Sequence, residues 1–113
     1  MWLFTPEGFV SIVEHRHAPD LLLARARFPG DLERLFPAQA HNVEETPAAD
    51  YRYRVTLDRA TAAEAVAAAT SAISYENFKD EAASRAQGWV HRMKALHDSW
   101  SALVHAQARV HKG

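Results

Sequence analysis

Apolar and polar positions alternate in short runs through the first 58 residues, a pattern typical of strands with one buried face. Residues 1–16, MWLFTPEGFVSIVEHR, predict a β-hairpin whose turn lies at residues 6–8. Residues 21–28, LLLARARF, predict a third strand, and residues 51–57, YRYRVTL, predict a fourth. Between these two strands, DLERLF at residues 31–36 predicts a short helix. The first half of the chain is therefore expected to form an antiparallel sheet.

The spacing of apolar residues becomes helical after residue 58. Residues 59–74, RATAAEAVAAATSAIS, predict an alanine-rich helix. Its apolar residues recur at intervals of four, three and four: Ala62, Val66, Ala69 and Ile73. A further helix is predicted to begin after Asn77, because asparagine is a good N-cap and Asp80 stands at the position of a capping-box partner.

The last predicted element is a long helix with a heptad seam. Its members recur at intervals of four and three: Trp89, Met93, Leu96, Trp100, Leu103, Gln107 and Val110. Such a seam either docks a helix on its own domain or forms a subunit interface, where tryptophan is enriched. Both interpretations stay open. In the second, a homodimer or protein-partner interface involves Trp89, Met93, Leu96, Trp100 and Leu103.

Together these elements predict an α+β fold in the order β-β-β-α-β-α-α. We expect an antiparallel sheet of about four strands with helices on one face and a long C-terminal helix, related to a ferredoxin-like plait without its regular order. The 113 residues are enough for one hydrophobic core. We expect a single domain over residues 1–113, rich in sheet over 1–58 and helical over 59–113.

Charge and composition exclude several classes of function. The 13 Lys and Arg nearly balance the 14 Asp and Glu, so no global field attracts nucleic acid or an anionic membrane. The absence of cysteine excludes disulfides, thiolate metal sites and a cysteine nucleophile. The first residues lack a basic segment followed by a long apolar run, so we expect neither a signal peptide nor a membrane span. A soluble cytoplasmic protein without a cofactor is the resulting expectation.

In the predicted third and fourth strands, one face is mainly apolar and the other carries arginines. Four residues form this set: Arg25, Arg27, Arg52 and Arg54. If both strands lie in one sheet, the four guanidinium groups share a surface, and Tyr51 and Tyr53 face the core. Guanidinium groups bind phosphate and carboxylate bidentately. The four arginines are therefore predicted to bind a nucleotide-like anionic small molecule or the acidic surface of a partner.

The same arginines are also compatible with a solvated face on which they pair with carboxylates. The candidate carboxylates are Glu14, Glu33, Glu44, Glu45 and Asp58. Nucleic acid is a less expected ligand, because RNA-binding sheets expose aromatic rings on the binding face, whereas the tyrosines here are predicted on the opposite face. We therefore expect a small anion in preference to a polymer. A separate alternative is an inhibitory or structural protein that acts by protein–protein contact through the heptad seam.

Histidines offer two further kinds of chemistry. Seven are present, and the spacing of His15 and His17 places two imidazoles on one face of a strand. Zinc needs a third protein ligand, which nothing in the sequence brings near, so no metal site is predicted. A small hydrolase of phosphoester or acyl substrates is the alternative function, with His15 as general base and Glu14 or Glu45 as its orienting carboxylate. Because no phosphate loop, HExxH or Gly-x-Ser-x-Gly motif occurs, binding is expected in preference to catalysis.

Four segments carry a family resemblance: MWLFTPEGFVSIVEHR, PDLLLARARFPGDLERLF, ETPAADYRYRV and ISYENFKDE. They resemble a family of short bacterial and phage-associated proteins with no settled activity. In that family a Trp-x-Phe-Thr start, a Gly-Phe-x-Ser-Ile-Val segment, an Asp-Tyr-Arg-Tyr-Arg strand and a Tyr-x-Asn-Phe-Lys segment recur. The matching positions are Trp2, Phe4, Ser11, Arg25, Arg27, Tyr51, Arg52, Tyr53, Arg54, Asn77, Phe78 and Lys79. The resemblance covers residues 1–82 and implies that the arginine–tyrosine strand is a family feature, whereas the histidine-rich helix departs from the pattern.

Overall fold

A computed structural model describes residues 1–85 and 90–112. Its sheet is antiparallel, with the strand order β1-β2-β3-β5-β4. The strands are β1 (Trp2–Thr5), β2 (Gly8–Glu14), β3 (Leu21–Ala26), β4 (Glu44–Glu45) and β5 (Tyr53–Asp58). The helices are α1 (Asp31–Leu35), α2 (Arg59–Ser71), α3 (Phe78–Arg85) and α4 (Val90–His111), with a 3₁₀ helix at Pro37–Asn42.

The α+β class, the antiparallel sheet and the long C-terminal helix are confirmed, with five strands instead of four. The additional strand, β4, lies between the predicted helix at residues 31–36 and the predicted fourth strand, and it pairs with β5. The backbone N–H of Thr46 also donates to the carbonyl of Arg52 at 2.7 Å. The chain forms two compact units, Met1–Tyr75 with the sheet and Glu76–Gly113 with α3 and α4. A single domain over the whole chain stays a prediction.

A buried carboxylate joins the β1–β2 hairpin to α1. Asp31 has no exposed surface, and it accepts the backbone N–H of Phe9 at 3.0 Å and a guanidinium hydrogen of Arg34 at 2.6 Å. A Cβ at Gly8 would lie 2.5 Å from the carboxyl carbon of Asp31, so glycine is required where the hairpin meets the helix. Asp31 lies in the first turn of α1, as predicted, and there it fixes the hairpin.

One face of the sheet forms the hydrophobic core with α1 and α2. The buried residues are Val10, Ile12, Ala24, Ala26, Leu32, Phe36, Val55, Leu57 and Ala62. Ala24 and Ala26 have no exposed surface, and their small side chains allow α1 to lie close to β3. The predicted alternation of β3 is confirmed, because Leu22 packs on this core whereas Arg25 lies on the opposite face.

Helix α2 begins at a side-chain cap and ends earlier than predicted. The Asp58 carboxylate accepts the backbone N–H of Thr61 at 2.7 Å, and this hydrogen bond lowers the pKa of Asp58. Ala62 is buried and Val66 packs beside it. Ile73 is 53% exposed because the helix ends at Ser71, so its predicted place in the apolar stripe is wrong.

The second unit contains α3 and the 22-residue helix α4. The side-chain oxygen of Asn77 accepts the backbone N–H of Asp80 at 3.0 Å, which confirms the predicted N-cap. Within residues 1–85 and 90–112, none of the helices is long and apolar enough to cross a membrane.

Candidate functional site

The register of the sheet places two of the four predicted arginines side by side. Arg25 lies directly opposite Arg54 on β5, and Ser11 of β2 lies opposite Arg25 on its other side. Residues in such direct pairs project from the same face, and this face is the one opposite the core. We call it the arginine face; its central row is Trp2, Ser11, Arg25, Arg54 and Glu44. Arg27 follows β3 and Arg52 precedes β5 at one end of this face.

Tyr51 lies with the arginines and not in the core. The guanidinium carbon of Arg25 is 4.3 Å from the centroid of its ring, and that of Arg27 is 3.9 Å away. The prediction that Tyr51 faces the core is therefore wrong, although Tyr53 does pack against the core. The alternation fails at residue 51 because β5 begins only at Tyr53. Tyr51 is 7% exposed, so its position is fixed beneath the two cations.

Within residues 1–85 and 90–112, no carboxylate forms an ion pair with Arg25 or Arg27. Arg25 donates through Nη2 to the Ser11 hydroxyl at 2.9 Å, and its buried Nε has no hydrogen-bond partner among the described residues. Arg27 is exposed and makes no hydrogen bond or ion pair within the described part of the chain. A cation–π contact uses the face of a guanidinium group, so the hydrogen-bond donors of Arg27 that lie in its plane stay available to a ligand.

Arg52 and Arg54 have acidic partners instead. Arg52 donates through Nε and Nη2 to one oxygen of Glu45, at 3.2 and 2.9 Å. This hydrogen-bonded carboxylate raises the pKa of Arg52. Arg54 donates through Nε to the carbonyl of Tyr51 at 3.2 Å and lies 3.4 Å from Asp50. Of the alternatives drawn from the sequence, carboxylate pairing describes Arg52 and Arg54, and an available cationic surface describes Arg25 and Arg27.

The histidine chemistry proposed from the sequence finds no support in the geometry. The Nδ1 atom of His15 accepts the backbone N–H of His17 at 3.1 Å, so this nitrogen already makes a local hydrogen bond within the turn. Glu14 pairs with Arg59 at 2.9 Å, and Glu45 pairs with Arg52, so neither predicted carboxylate orients His15. Among the described residues no group of three or more potential ligands could hold a metal ion.

The predicted heptad seam of α4 divides into a buried and an exposed part. Leu96 is buried and Met93 is half-buried, whereas Trp100 is 48% exposed and Leu103 is 72% exposed. Trp89, the first predicted member, lies outside the described residues. The Lys79 ammonium lies over the ring of Trp100, 4.1 Å from the ring centroid. The exposed part continues to Val110, which is 76% exposed.

The expectation that the arginine face lacks aromatic rings is also wrong. Trp2 lies opposite Ser11 and Phe4 opposite Phe9, which places these rings on the same face as Arg25. Trp2 is 74% exposed and Phe4 is 40% exposed. The signal was present in the predicted hairpin, because odd and even positions exchange across its turn and residues 2, 4, 9 and 11 then share one face.

An apolar groove lies on the opposite side of the sheet. It has a volume of about 530 Å³, and its lining includes Ile12, Leu22, Ala62 and Val66. Arg59 is the charged residue of this lining, but its guanidinium is bound to Glu14 and to the carbonyl of Pro19, at 2.9 and 2.8 Å. Small-molecule sites combine apolar walls with polar groups that fix orientation. The groove is therefore a weaker candidate than the arginine face.

Comparisons with protein-family models, with curated proteins and with solved structures gave no match to this chain. The family resemblance drawn from its motifs stays a prediction. Functional inference therefore rests on the residues of the arginine face.

Proposed function

We propose that this protein is a non-enzymatic binding module that holds a small anionic ligand, phosphate-bearing and nucleotide-like, on Arg25 and Arg27. The supporting observation is that these two guanidinium groups share the ring of Tyr51 and have no carboxylate partner among the described residues. The sequence prediction named four arginines. The proposal gives direct ligand contact to this pair and different tasks to Arg52 and Arg54.

Tyr51 makes the cationic pair suitable for binding because it reduces the motion of two long side chains. A free arginine loses rotamer entropy when it binds a ligand, and fixing it beforehand avoids part of that loss. The in-plane N–H groups of a stacked guanidinium remain available for bidentate hydrogen bonds to phosphate oxygens. Binding is thus expected to be bidentate and insensitive to small changes of pH.

Arg54 supports this arrangement as a positioning residue. Its hydrogen bond to the Tyr51 carbonyl, at 3.2 Å, fixes the backbone from which the ring projects. Asp50 also holds this segment, because its carboxylate accepts the Tyr51 N–H at 2.9 Å. Arg52 is held by Glu45 and is expected to contribute little to the ligand.

The test is calorimetric titration with pyrophosphate in low-salt buffer, comparing Arg27→Gln with Arg52→Gln. Both residues are exposed arginines at the same end of the sheet. Arg52 is paired with Glu45, whereas Arg27 has no carboxylate partner among the described residues. We expect Arg27→Gln to weaken binding roughly 10- to 100-fold, the value of a charge-assisted hydrogen bond. Arg52→Gln should change it less than about threefold. Equal losses in the two variants, or binding unchanged in Arg27→Gln, would contradict the proposal.

A second candidate function is self-association through α4. It is favoured by the exposure of Leu103 and Val110, which lie at heptad positions of the seam beyond the buried Leu96. A heptad seam is self-complementary, so a second copy of this chain is its natural partner. Sedimentation velocity across a range of concentrations tests this candidate. A dimer that dissociates in Leu103→Glu supports it, and a monomer at all concentrations contradicts it.

A further inference from the structure

The arginine face carries two exposed aromatic rings on β1, Trp2 and Phe4, which we call the aromatic edge. The hydrophobic core on the opposite face does not require them. Trp2 lies on the edge strand β1, and no ring contact or hydrogen bond involves its side chain within the described residues. An exposed tryptophan on a sheet edge does not stabilise the core, and it promotes unwanted association. This exposed ring is therefore better explained by a ligand than by the fold.

Phe4 is the second ring of this edge, and neighbouring rings hold it in place. Its ring centroid lies 4.5 Å from that of Phe9, and Phe9 in turn contacts Phe28 edge-on at 6.4 Å. Aromatic contacts at these distances stabilise a fixed ring orientation. Phe4 nevertheless keeps 40% of its surface exposed, so it presents a supported ring beside Trp2.

The aromatic edge and the cationic pair are close enough for one ligand to contact both. Strand β2 alone separates β1 from β3, so the backbones of Trp2 and Arg25 lie about 10 Å apart, twice the spacing of neighbouring strands. Arg25 and Trp2 occupy the same row across the sheet. A ligand with a flat ring and a phosphate group separated by a few bonds matches this arrangement.

We infer that the ligand is single-stranded nucleic acid, with bases stacked on Trp2 and Phe4 and phosphates bound by Arg25 and Arg27. This inference rests on the proposed anion site and extends its ligand from a single nucleotide-like molecule to a chain of linked nucleotides. Aromatic rings next to cations on an open sheet form the stacking platforms by which proteins bind single strands, because every base has a flat face and every nucleotide a phosphate. A duplex is excluded from such stacking because its bases are already paired.

Acidic residues limit the site on its other side. Glu44 ends the central row at β4, and the carboxylates of Glu45 and Asp50 lie beside Arg52 and Arg54. A polyanion would be repelled there, so the nucleic acid is expected to lie across β1, β2 and β3 only, with about two or three bases bound. Two neutralised phosphates predict a shallow salt dependence, with a slope of log K against log salt of about −1.4.

The test is fluorescence anisotropy with a labelled single-stranded ten-nucleotide oligothymidylate in low-salt buffer. The variants are Trp2→Thr, which keeps β propensity and removes the ring, and Arg27→Gln. Trp100→Ala is the control, because it removes an exposed tryptophan from the other unit. Inorganic polyphosphate of matched charge and the duplex form of the same oligonucleotide are the competitors.

We expect oligothymidylate to bind more tightly than polyphosphate or duplex. Trp2→Thr should weaken it roughly 5- to 100-fold, the value of one base–aromatic stack, and Trp100→Ala should leave it unchanged. If polyphosphate binds as well as the oligonucleotide, or if Trp2→Thr binds like the wild type while Arg27→Gln does not, the nucleic-acid inference is overturned and the anion site stands. If Arg27→Gln binds oligonucleotide normally, or no anion binds at all, both are overturned.

Discussion

The β3 segment and the β5 segment present similar pairs of arginines in very different electrostatic surroundings. Arg25 and Arg27 stack on Tyr51 without a carboxylate among the described residues, whereas Arg52 and Arg54 lie beside Glu45 and Asp50. Strand alternation places side chains on a face, but the counter-charges come from other segments, Glu45 from strand β4 and Asp50 from the segment before β5. Two arginines on the same face of a sheet therefore differ in their availability to a ligand when their ion-pair partners differ.

A carboxylate placed beside the β3 pair would remove the difference between the two segments and should have the largest effect. In Ser11→Asp the new group replaces the hydroxyl that now accepts from Arg25 at 2.9 Å. It should neutralise the pair and weaken pyrophosphate binding roughly 10- to 100-fold by calorimetry. Ser11→Asn, of similar size but neutral, is the control and should lose less than about threefold. Equal losses in the two variants would show that charge is not the cause.

The sequence predicted the sheet better than it predicted the site. Alternation in residues 21–28 correctly assigned Arg25 to the outer face, because β3 is a regular central strand with one buried side. The strand β4 was missed because its two residues carry no apolar alternation and are held by backbone pairing to β5. Pairing of that kind leaves no pattern in the side chains.

The errors at the site have a similar physical cause. Tyr51 was assigned by extending the alternation of β5 beyond its first residue, into a segment whose direction is set by hydrogen bonds to Asp50 and Arg54. The aromatic edge at Trp2 follows from the register of the hairpin and was therefore accessible to prediction. The carboxylate partners of Arg52 and Arg54 are close in the sequence, at Glu45 and Asp50, and Glu45 was among the candidates. Which carboxylate pairs with which arginine depends on how the chain turns between β4 and β5, and side-chain alternation does not specify that turn.

Removing the Tyr51 ring that both cations contact should produce the next largest effect. Tyr51→Leu loses two cation–π contacts, at 4.3 and 3.9 Å, and should lower the free energy of unfolding by about 1–2 kcal/mol. Pyrophosphate binding should weaken roughly five- to tenfold because Arg25 and Arg27 are no longer preorganised. Urea unfolding and calorimetry measure the two quantities. Tyr51→Phe keeps the ring and should resemble the wild type; if it behaves like Tyr51→Leu, the hydroxyl is responsible and stacking is not.

Removing the carboxylate partner of Arg52 should leave an unpaired cation in the β5 segment, as in the β3 segment. The expected change in pyrophosphate affinity is smaller than in the two preceding predictions. Glu45→Gln removes the carboxylate that Arg52 contacts at 2.9 Å and frees a cation at the end of the arginine face. We expect pyrophosphate affinity to rise roughly two- to fivefold. Glu44→Gln makes the same charge change at a neighbouring residue that has no ion pair among the described residues. An equal gain in Glu44→Gln would attribute the effect to net charge alone.

The smallest expected effect concerns low pH, where unfolding of the protein has to be distinguished from weaker anion binding at the arginines. The pKa of Asp58 is lowered in the folded state, mainly by the backbone N–H of Thr61. Its contribution to stability is therefore present above the unfolded value of about 4 and is lost as the pH falls through the folded value. Urea unfolding between pH 6 and about 3 should show a smaller loss in Asp58→Asn, which caps α2 without titrating. An identical pH profile in wild type and Asp58→Asn would exclude this carboxylate as a source of acid sensitivity. Guanidinium groups stay charged throughout this range, so any weakening of anion binding at low pH reflects the fold or the ligand and not the arginines.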